Sequence, residues 1–167
     1  DIAPPAPGTF PPRFTATVTP PVRTWPSMRV PLAGVHQVGN AALALAALDH
    51  LAERDWSIDP DRAISGIESL EWPLRFETVN EQPRVVCDAA HNEASIAALV
   101  ETLTHWRGGK RWAIFAAARD KDHAAMLRLL APAFDEIVLT RFVGNPRAVD
   151  VDELAADLPS GDTLVRT

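Results

Sequence analysis

Cysteine is nearly missing from this chain: Cys87 stands alone among 167 residues, so no internal disulfide can form. That matches a reducing cytoplasm rather than a secreted scaffold. Long apolar runs are missing too. No stretch approaches the roughly 20 apolar residues of a membrane span, and no basic-then-apolar leader opens the chain. The expectation is a cytoplasmic protein with no membrane partner. Positive charge is short, with 16 Lys and Arg against 22 Asp and Glu and a net charge of −6. A nucleic-acid backbone would be repelled by that surface, although one or two local arginines suffice for a phosphate ligand. The five histidines keep no metal-ligand spacing, so no metal site is expected. No G-x-G-x-x-G follows any apolar run, which disfavours a dinucleotide-binding domain.

What is present reads as an ordinary globular chain of one domain or one and a half, 47% hydrophobic and 23% charged. A chain this long can bury roughly 70% of its unfolded surface, so a core needs neither disulfide nor metal. Nine of the 15 prolines fall in the first 31 residues, which excludes helix there. Residues 1–32 are expected to be extended and loop structure, with edge strands at Arg13–Val18 and Met28–Leu32, packing best against a partner. The Ala- and Leu-rich run from Asn40 to about Arg54 predicts a helix, apolar on every side in its first half and therefore buried. Pro60 suits the first turn of a second helix ending near Leu70. Beyond Pro73, strands at Phe76–Val79, Arg84–Cys87, Trp112–Ala118, Glu136–Thr140 and Thr163–Val165 alternate with helices. These helices begin near Asn92, ending at Gly108-Gly109, at Asp122 and at Val151. That alternation predicts an α/β fold, a Rossmann-like, mostly parallel sheet flanked by helices on both faces.

Ligands of open α/β sheets bind at the carboxyl ends of the strands. Three polar clusters follow strands: Asp88 with His91 and Asn92, then Arg119 to Asp122, then Arg141 with Asn145 and Arg147. All three are expected on one sheet edge. Helix capping accounts for at least Asn92 or Asp122, but not for Lys121 and Arg147 in the same crevice. Cys87 beside His91 could suggest a nucleophile and base, yet it lies within an apolar strand and reads as a core residue. Ser95, His91 and Asp88 lack a nucleophile elbow. Trp25, Trp56, Trp72, Trp106 and Trp112 read as packing residues.

Four segments in order carry a resemblance. They are Leu32-Ala33-Gly34-Val35-His36-Gln37-Val38-Gly39-Asn40, Trp72-Pro73-Leu74-Arg75-Phe76-Glu77, Asp88-Ala89-Ala90-His91-Asn92, and Asp120-Lys121-Asp122 followed by Met126-Leu127. Together they resemble the folylpolyglutamate synthase / dihydrofolate synthase branch of the Mur ligases, from about Leu32 to about Leu154. The resemblance implies ATP-dependent amide synthesis: ATP phosphorylates a folate-type carboxylate, and the amine of L-glutamate attacks the acyl phosphate. It implies ATP and magnesium as cofactors. Asn40 then corresponds to the side chain on adenine, with an N-cap as its bland alternative. Arg75 corresponds to the hinge arginine on the ATP phosphates, with a surface ion pair to Glu77 as its alternative. Asp88 corresponds to the aspartate on the ribose hydroxyls. His91 lies near the reacting groups, and Lys121 helps bind glutamate. Arg147 is a glutamate-carboxylate candidate by position.

The sequence departs from the family pattern at Leu74 and Ala89, where glycine is usual, and at Glu93, where proline is. Ala89 is tolerable if its φ is negative, and Glu93 suits a first helical turn. The family's phosphate loop, G-x-x-G-K-[ST], does not occur in these residues, and the magnesium ligands belong with it. The chain also opens on Asp1 rather than Met. The expectation is residues 1–73 as the end of a central ATPase domain and 74–167 as a glutamate-ligase domain short at its end. Its partner would then be the missing N-terminal and central part of the same protein, and the chain alone would be inactive. Alternatives are a murein-precursor ligase of the same superfamily, a stand-alone nucleotide- or amino-acid-binding module, and a Rossmann-like interaction domain.

Overall fold

The computed structural model describes residues 1–6, 9–17, 25–106, 108–159 and the backbone of 164–166. Val18 and Thr163, expected in strands, lie outside them. The chain divides into two compact units, Asp1–Ala89 and Ala90–Thr167.

In the first unit β1 (Ile2–Ala3), β2 (Arg13–Ala16) and β3 (Met28–Ala33) form an antiparallel sheet in that order. Helices α1 (Val35–Ala52) and α2 (Pro60–Glu68) follow. Gly34 precedes α1 with φ +99, a conformation that side chains disfavour. Asp59 caps α2 by accepting from the Asp61 and Arg62 N–H groups, and Pro60 occupies the first turn. The proline-rich start does not wait for an outside partner. Its Phe14, Ala16, Trp25, Met28 and Val30 are buried with Val38, Ala41 and Leu45 of α1 and Ile64 of α2.

Two expectations are corrected here. Helix α1 is not buried all round: one face is covered, while Leu43 is 72% exposed on the other. The tryptophans are not all packing residues either. Trp25 is 1% exposed, but Trp56, Trp72 and Trp112 are more than half exposed. Trp25 also donates its indole N–H to Asp49 Oδ2 at 3.1 Å, a bond between buried side chains. Trp25→Phe keeps an aromatic ring, though a smaller one, and removes that donor. It should lower the unfolding free energy by about 1–3 kcal/mol in urea titrations, the usual range for losing a buried hydrogen bond to a carboxyl group.

The unit closes with a two-stranded antiparallel hairpin, β4 (Glu77–Glu81) and β5 (Arg84–Cys87). The Phe10 ring meets Phe76 at 5.6 Å between centroids, and the Arg84 guanidinium lies 4.1 Å above Phe10. Residues 84–87 were expected in the parallel sheet. Instead β5 pairs with β4, and Cys87 is half-buried in it.

The second unit holds the parallel sheet, in the order β6 (Trp112–Phe115), β7 (Glu136–Leu139), β8 (Leu164–Arg166). Helices α3 (Glu93–Thr104), α4 (His123–Leu130) and α5 (Val151–Ala156) alternate with its strands. Asn92 caps α3 in a reciprocal box with Ser95, and Asp122 caps α4 by accepting from the Ala125 N–H, as the capping reading requires. Helix α3 ends at Thr104, before the two glycines. Gly108 and Gly109, both at positive φ, lie in the turn that leads to β6. The core joins Ile96 and Leu99 of α3, Met126, Leu127 and Leu130 of α4, Phe115, Ile137 and Leu139 of the sheet, and Leu154 of α5. Pleating alternates the β6 side chains: Ala113 and Phe115 pack on this core, while Trp112 and Ile114 are 65% and 80% exposed. Burial of both sheet faces was expected, and β6 does not bear it out.

Candidate functional site

The candidate residues fall in both units. In the first, Asn40 sits inside α1, five residues after the helix begins at Val35, so it is not an N-cap. Its Nδ2 donates to Oε1 of Gln37, one turn earlier, at 3.0 Å. Gln37 is 6% exposed, and its Nε2 lies 3.0 Å from His36 Nε2.

Arg75 is exposed and makes no ion pair with Glu77. Glu77 Oε2 instead accepts from the Leu74 N–H at 2.9 Å. The Arg75 guanidinium lies 5.7 Å from the ring centre of Trp72, a cation–π contact. The residues on either side are held in left-handed backbone, Leu74 at φ +59 and Phe76 at φ +53. That region favours glycine, which is why a glycine suits the position of Leu74. Asp88 accepts from the Phe76 N–H at 2.9 Å through Oδ2, and Ala89 N–H donates to the Leu74 carbonyl at 2.9 Å. These bonds tie the two motifs together across the hairpin. Ala89 does not have positive φ, so alanine is accommodated there, and Glu93 lies in the first turn of α3.

Arg75 also lines a cleft of about 590 Å³ in this unit. Its charged lining is Glu68, Glu71, Glu77 and Glu81 against Arg13 and Arg75. The carboxylates outnumber the cations, so a triphosphate would need a bound cation to compensate its charge beside them.

In the second unit the loops after β6 and β7 are zipped together. Arg119 N–H donates to the Arg147 carbonyl at 2.8 Å, and Val149 N–H to the Ala117 carbonyl at 3.0 Å. This brings two candidates onto one carboxylate: Lys121 Nζ lies 2.9 Å from Asp120 Oδ2, and Arg147 Nη1 3.8 Å from Asp120 Oδ1. The Lys121 hydrogen bond holds the Asp120 carboxyl below the usual carboxylate range against the opposing effect of desolvation, aided by a backbone hydrogen bond and the charges of Lys121 and Arg147. A depressed folded-state value means the pairing stabilises the loop above the unfolded value, ordinarily about 4. It is lost as pH falls through the depressed one. Carboxyl NMR titration should find Asp120 low in the parent chain and shifted upward in Lys121→Ala.

Nearby, Arg119 Nη1 meets Glu153 of α5 at 3.1 Å, and His123 Nδ1 contacts Asp157. His91 uses its backbone N–H to donate to Ser95 Oγ at 2.9 Å. The second and third polar clusters therefore share the carboxyl end of the parallel sheet. The cluster of Asp88 to Asn92 does not follow a strand of that sheet, because β5 belongs to the hairpin. Sequence reasoning missed Gln37, Asp120 and Trp72 as site residues, although each lies inside a motif that was singled out.

Among the described residues there is no group of three or more His, Cys, Asp or Glu that could hold a metal ion. No helix among them is long and apolar enough to cross a membrane.

Comparison with known proteins sets these features in a family. A family model described as Mur ligase, glutamate ligase domain, matches residues 74–167. The dihydrofolate synthase/folylpolyglutamate synthase of Mycobacterium tuberculosis is 38% identical over 129 residues, 75% of this chain and 26% of that protein. A crystal structure of Mycobacterium tuberculosis folylpolyglutamate synthase complexed with ADP and AMPPCP superposes with a TM-score of 0.74 at 36% identity. It covers 86% of this chain and 32% of that one. A bifunctional folylpolyglutamate synthase/dihydrofolate synthase with Mn, AMPPNP and L-glutamate bound gives 0.74 at 28% identity, over 95% of this chain and 36% of that one. The chain thus spans about a quarter to a third of the length of these relatives. With its second half matched to the family model and its α/β fold shared with these structures, the chain belongs to the Mur ligase family, in the branch of the folylpolyglutamate and dihydrofolate synthases.

Proposed function

We propose that this chain is part of an ATP-dependent ligase that forms an amide between L-glutamate and a folate or dihydropteroate carboxylate. The observation that carries the reading is the convergence of Lys121 and Arg147 at the carboxyl end of β6 and β7, within the stretch matched to a glutamate ligase domain. Two cations side by side suit an amino acid with two carboxylates. The domain division we propose is 1–73, the end of a central domain, and 74–167, the glutamate-ligase domain.

ATP supplies the phosphoryl group that turns a carboxylate oxygen into a leaving group. The residues of this chain bind and orient. Asn40 presents a side-chain amide, donor and acceptor together, to adenine. Asp88 accepts from the ribose hydroxyls, and Arg75 offers a planar fork of donors to the phosphates. Lys121, with Arg147, holds glutamate so that its amine meets the activated carbonyl, with His91 close to the reacting groups. The magnesium ligands and the phosphate loop are assigned to residues outside this chain.

Radiolabelled glutamate incorporation tests the reading. The 167-residue chain should give no ATP-dependent product and only weak nucleotide binding, because it contributes half of a triphosphate site. The same residues in a reading frame that continues upstream through G-x-x-G-K-[ST] should give product. Tight magnesium-ATP binding by the isolated chain would contradict this division of labour.

A second reading rests on Asp120. Because it already pairs with both Lys121 and Arg147, the trio could serve only to tie two loops. In that case Lys121→Ala would lower stability without changing the dependence on glutamate.

A further inference from the structure

We propose that Gln37 is a positioning residue that fixes which end of the Asn40 amide faces a nucleobase, and so selects a 6-amino purine over a 6-oxo purine. The inference rests on the reading of Asn40 as the adenine contact. Nothing in that reading requires Gln37.

Donors and acceptors fix the direction of each amide along this chain of contacts. The side-chain nitrogen of Gln37 can only donate, so His36 Nε2, 3.0 Å away, must be the acceptor. That sets the Gln37 amide with its oxygen turned the other way. Oε1 then takes one N–H of Asn40 Nδ2 at 3.0 Å. Reversing the Asn40 amide would press oxygen against oxygen. Gln37 is 6% exposed on the covered side of α1, whereas Asn40 is exposed one turn on, so the buried amide orders the exposed one. Among the described residues, Asn40 keeps its Oδ1 and its second N–H for a ligand. An adenine edge carries the 6-amino donor beside the N7 acceptor and matches that pair. A 6-oxo purine offers two acceptors there and leaves Oδ1 facing a carbonyl.

The test compares kcat/KM for ATP and for inosine triphosphate in the full-length ligase that carries this chain. Gln37→Met keeps a buried unbranched side chain and removes both hydrogen bonds, which frees the Asn40 amide to rotate. The ATP/ITP ratio should fall about tenfold, at the low end of what a bidentate amide–base match discriminates. Gln37→Glu retains an acceptor toward Asn40 and should keep the parent ratio. A ratio within one folded enzyme is unaffected by loss of stability. If a variant does not turn over, the same ratio is read from equilibrium binding of ADP and IDP. Asn40→Ala separates the two levels. If Asn40→Ala lowers the ratio and Gln37→Met does not, the positioning role is wrong and the adenine contact stands. If Asn40→Ala leaves the ratio unchanged, the adenine contact is wrong and this proposal falls with it.

Discussion

Arg75→Ala in the full-length ligase is expected to lower kcat/KM for ATP by about 10²- to 10³-fold, the usual loss when a preorganised group facing transition-state charge is removed. The transferring phosphoryl group spreads negative charge over its oxygens, and a guanidinium is a rigid fork matched to that geometry. In this chain the fork is held by the Trp72 ring beneath it and by left-handed backbone on both sides at Leu74 and Phe76. Strained backbone persists where its surroundings over-determine it. Here the Glu77 carboxylate binds Leu74 N–H and the Asp88 carboxylate binds Phe76 N–H. Arg75→Lys should recover little, since an ammonium offers a point charge and no bidentate contact. Initial rates over an ATP series decide the matter: an unchanged kcat/KM for ATP in Arg75→Ala removes Arg75 from the nucleotide site.

The second large effect is expected at Lys121. Its removal should raise KM for glutamate about 10- to 100-fold, the equivalent of one charge-assisted hydrogen bond. Arg147→Ala should raise it as well, since its guanidinium stands beside Lys121 on the same carboxylate. ATP use should be spared. Hydroxylamine distinguishes the two half-reactions: it needs no carboxylate pocket and intercepts an activated acyl group directly. Hydroxamate formation should therefore persist in Lys121→Ala and be lost in Arg75→Ala. Equal loss of hydroxamate in both variants would mean that Lys121 acts before glutamate arrives.

Local elements were legible because their signals are local. Pro60 behind Asp59, the Asn92 cap, and the 3.6-residue spacing of Ile96, Leu99, Val100 and Leu103 each act within one or two turns, and each element stands where they put it. The expected strands at Trp112 and Glu136 are there as well, in the parallel register that alternation with helices implies. The motifs of the candidate site were also readable, since each is a contiguous run.

Partner choice was not readable in the same way. Arg84–Cys87 has the composition of a buried parallel strand, but the short connection to Glu77–Glu81 lets it close a hairpin, and backbone pairing carries no side-chain code that forbids this. The run Ala41 to Leu48 within α1 is apolar all round, and its composition alone cannot say that one face stays open at Leu43. Charge pairing is similar. Asp120 is adjacent to Lys121 in sequence, yet its second partner, Arg147, arrives only because the loops after β6 and β7 are hydrogen-bonded side by side. Secondary structure and motif chemistry follow from interactions a few residues long, which the order of residues contains. Which strand pairs with which, which helix face is covered and which distant cation reaches a carboxylate depend on contacts between segments far apart in the chain, and these exist only once it has folded.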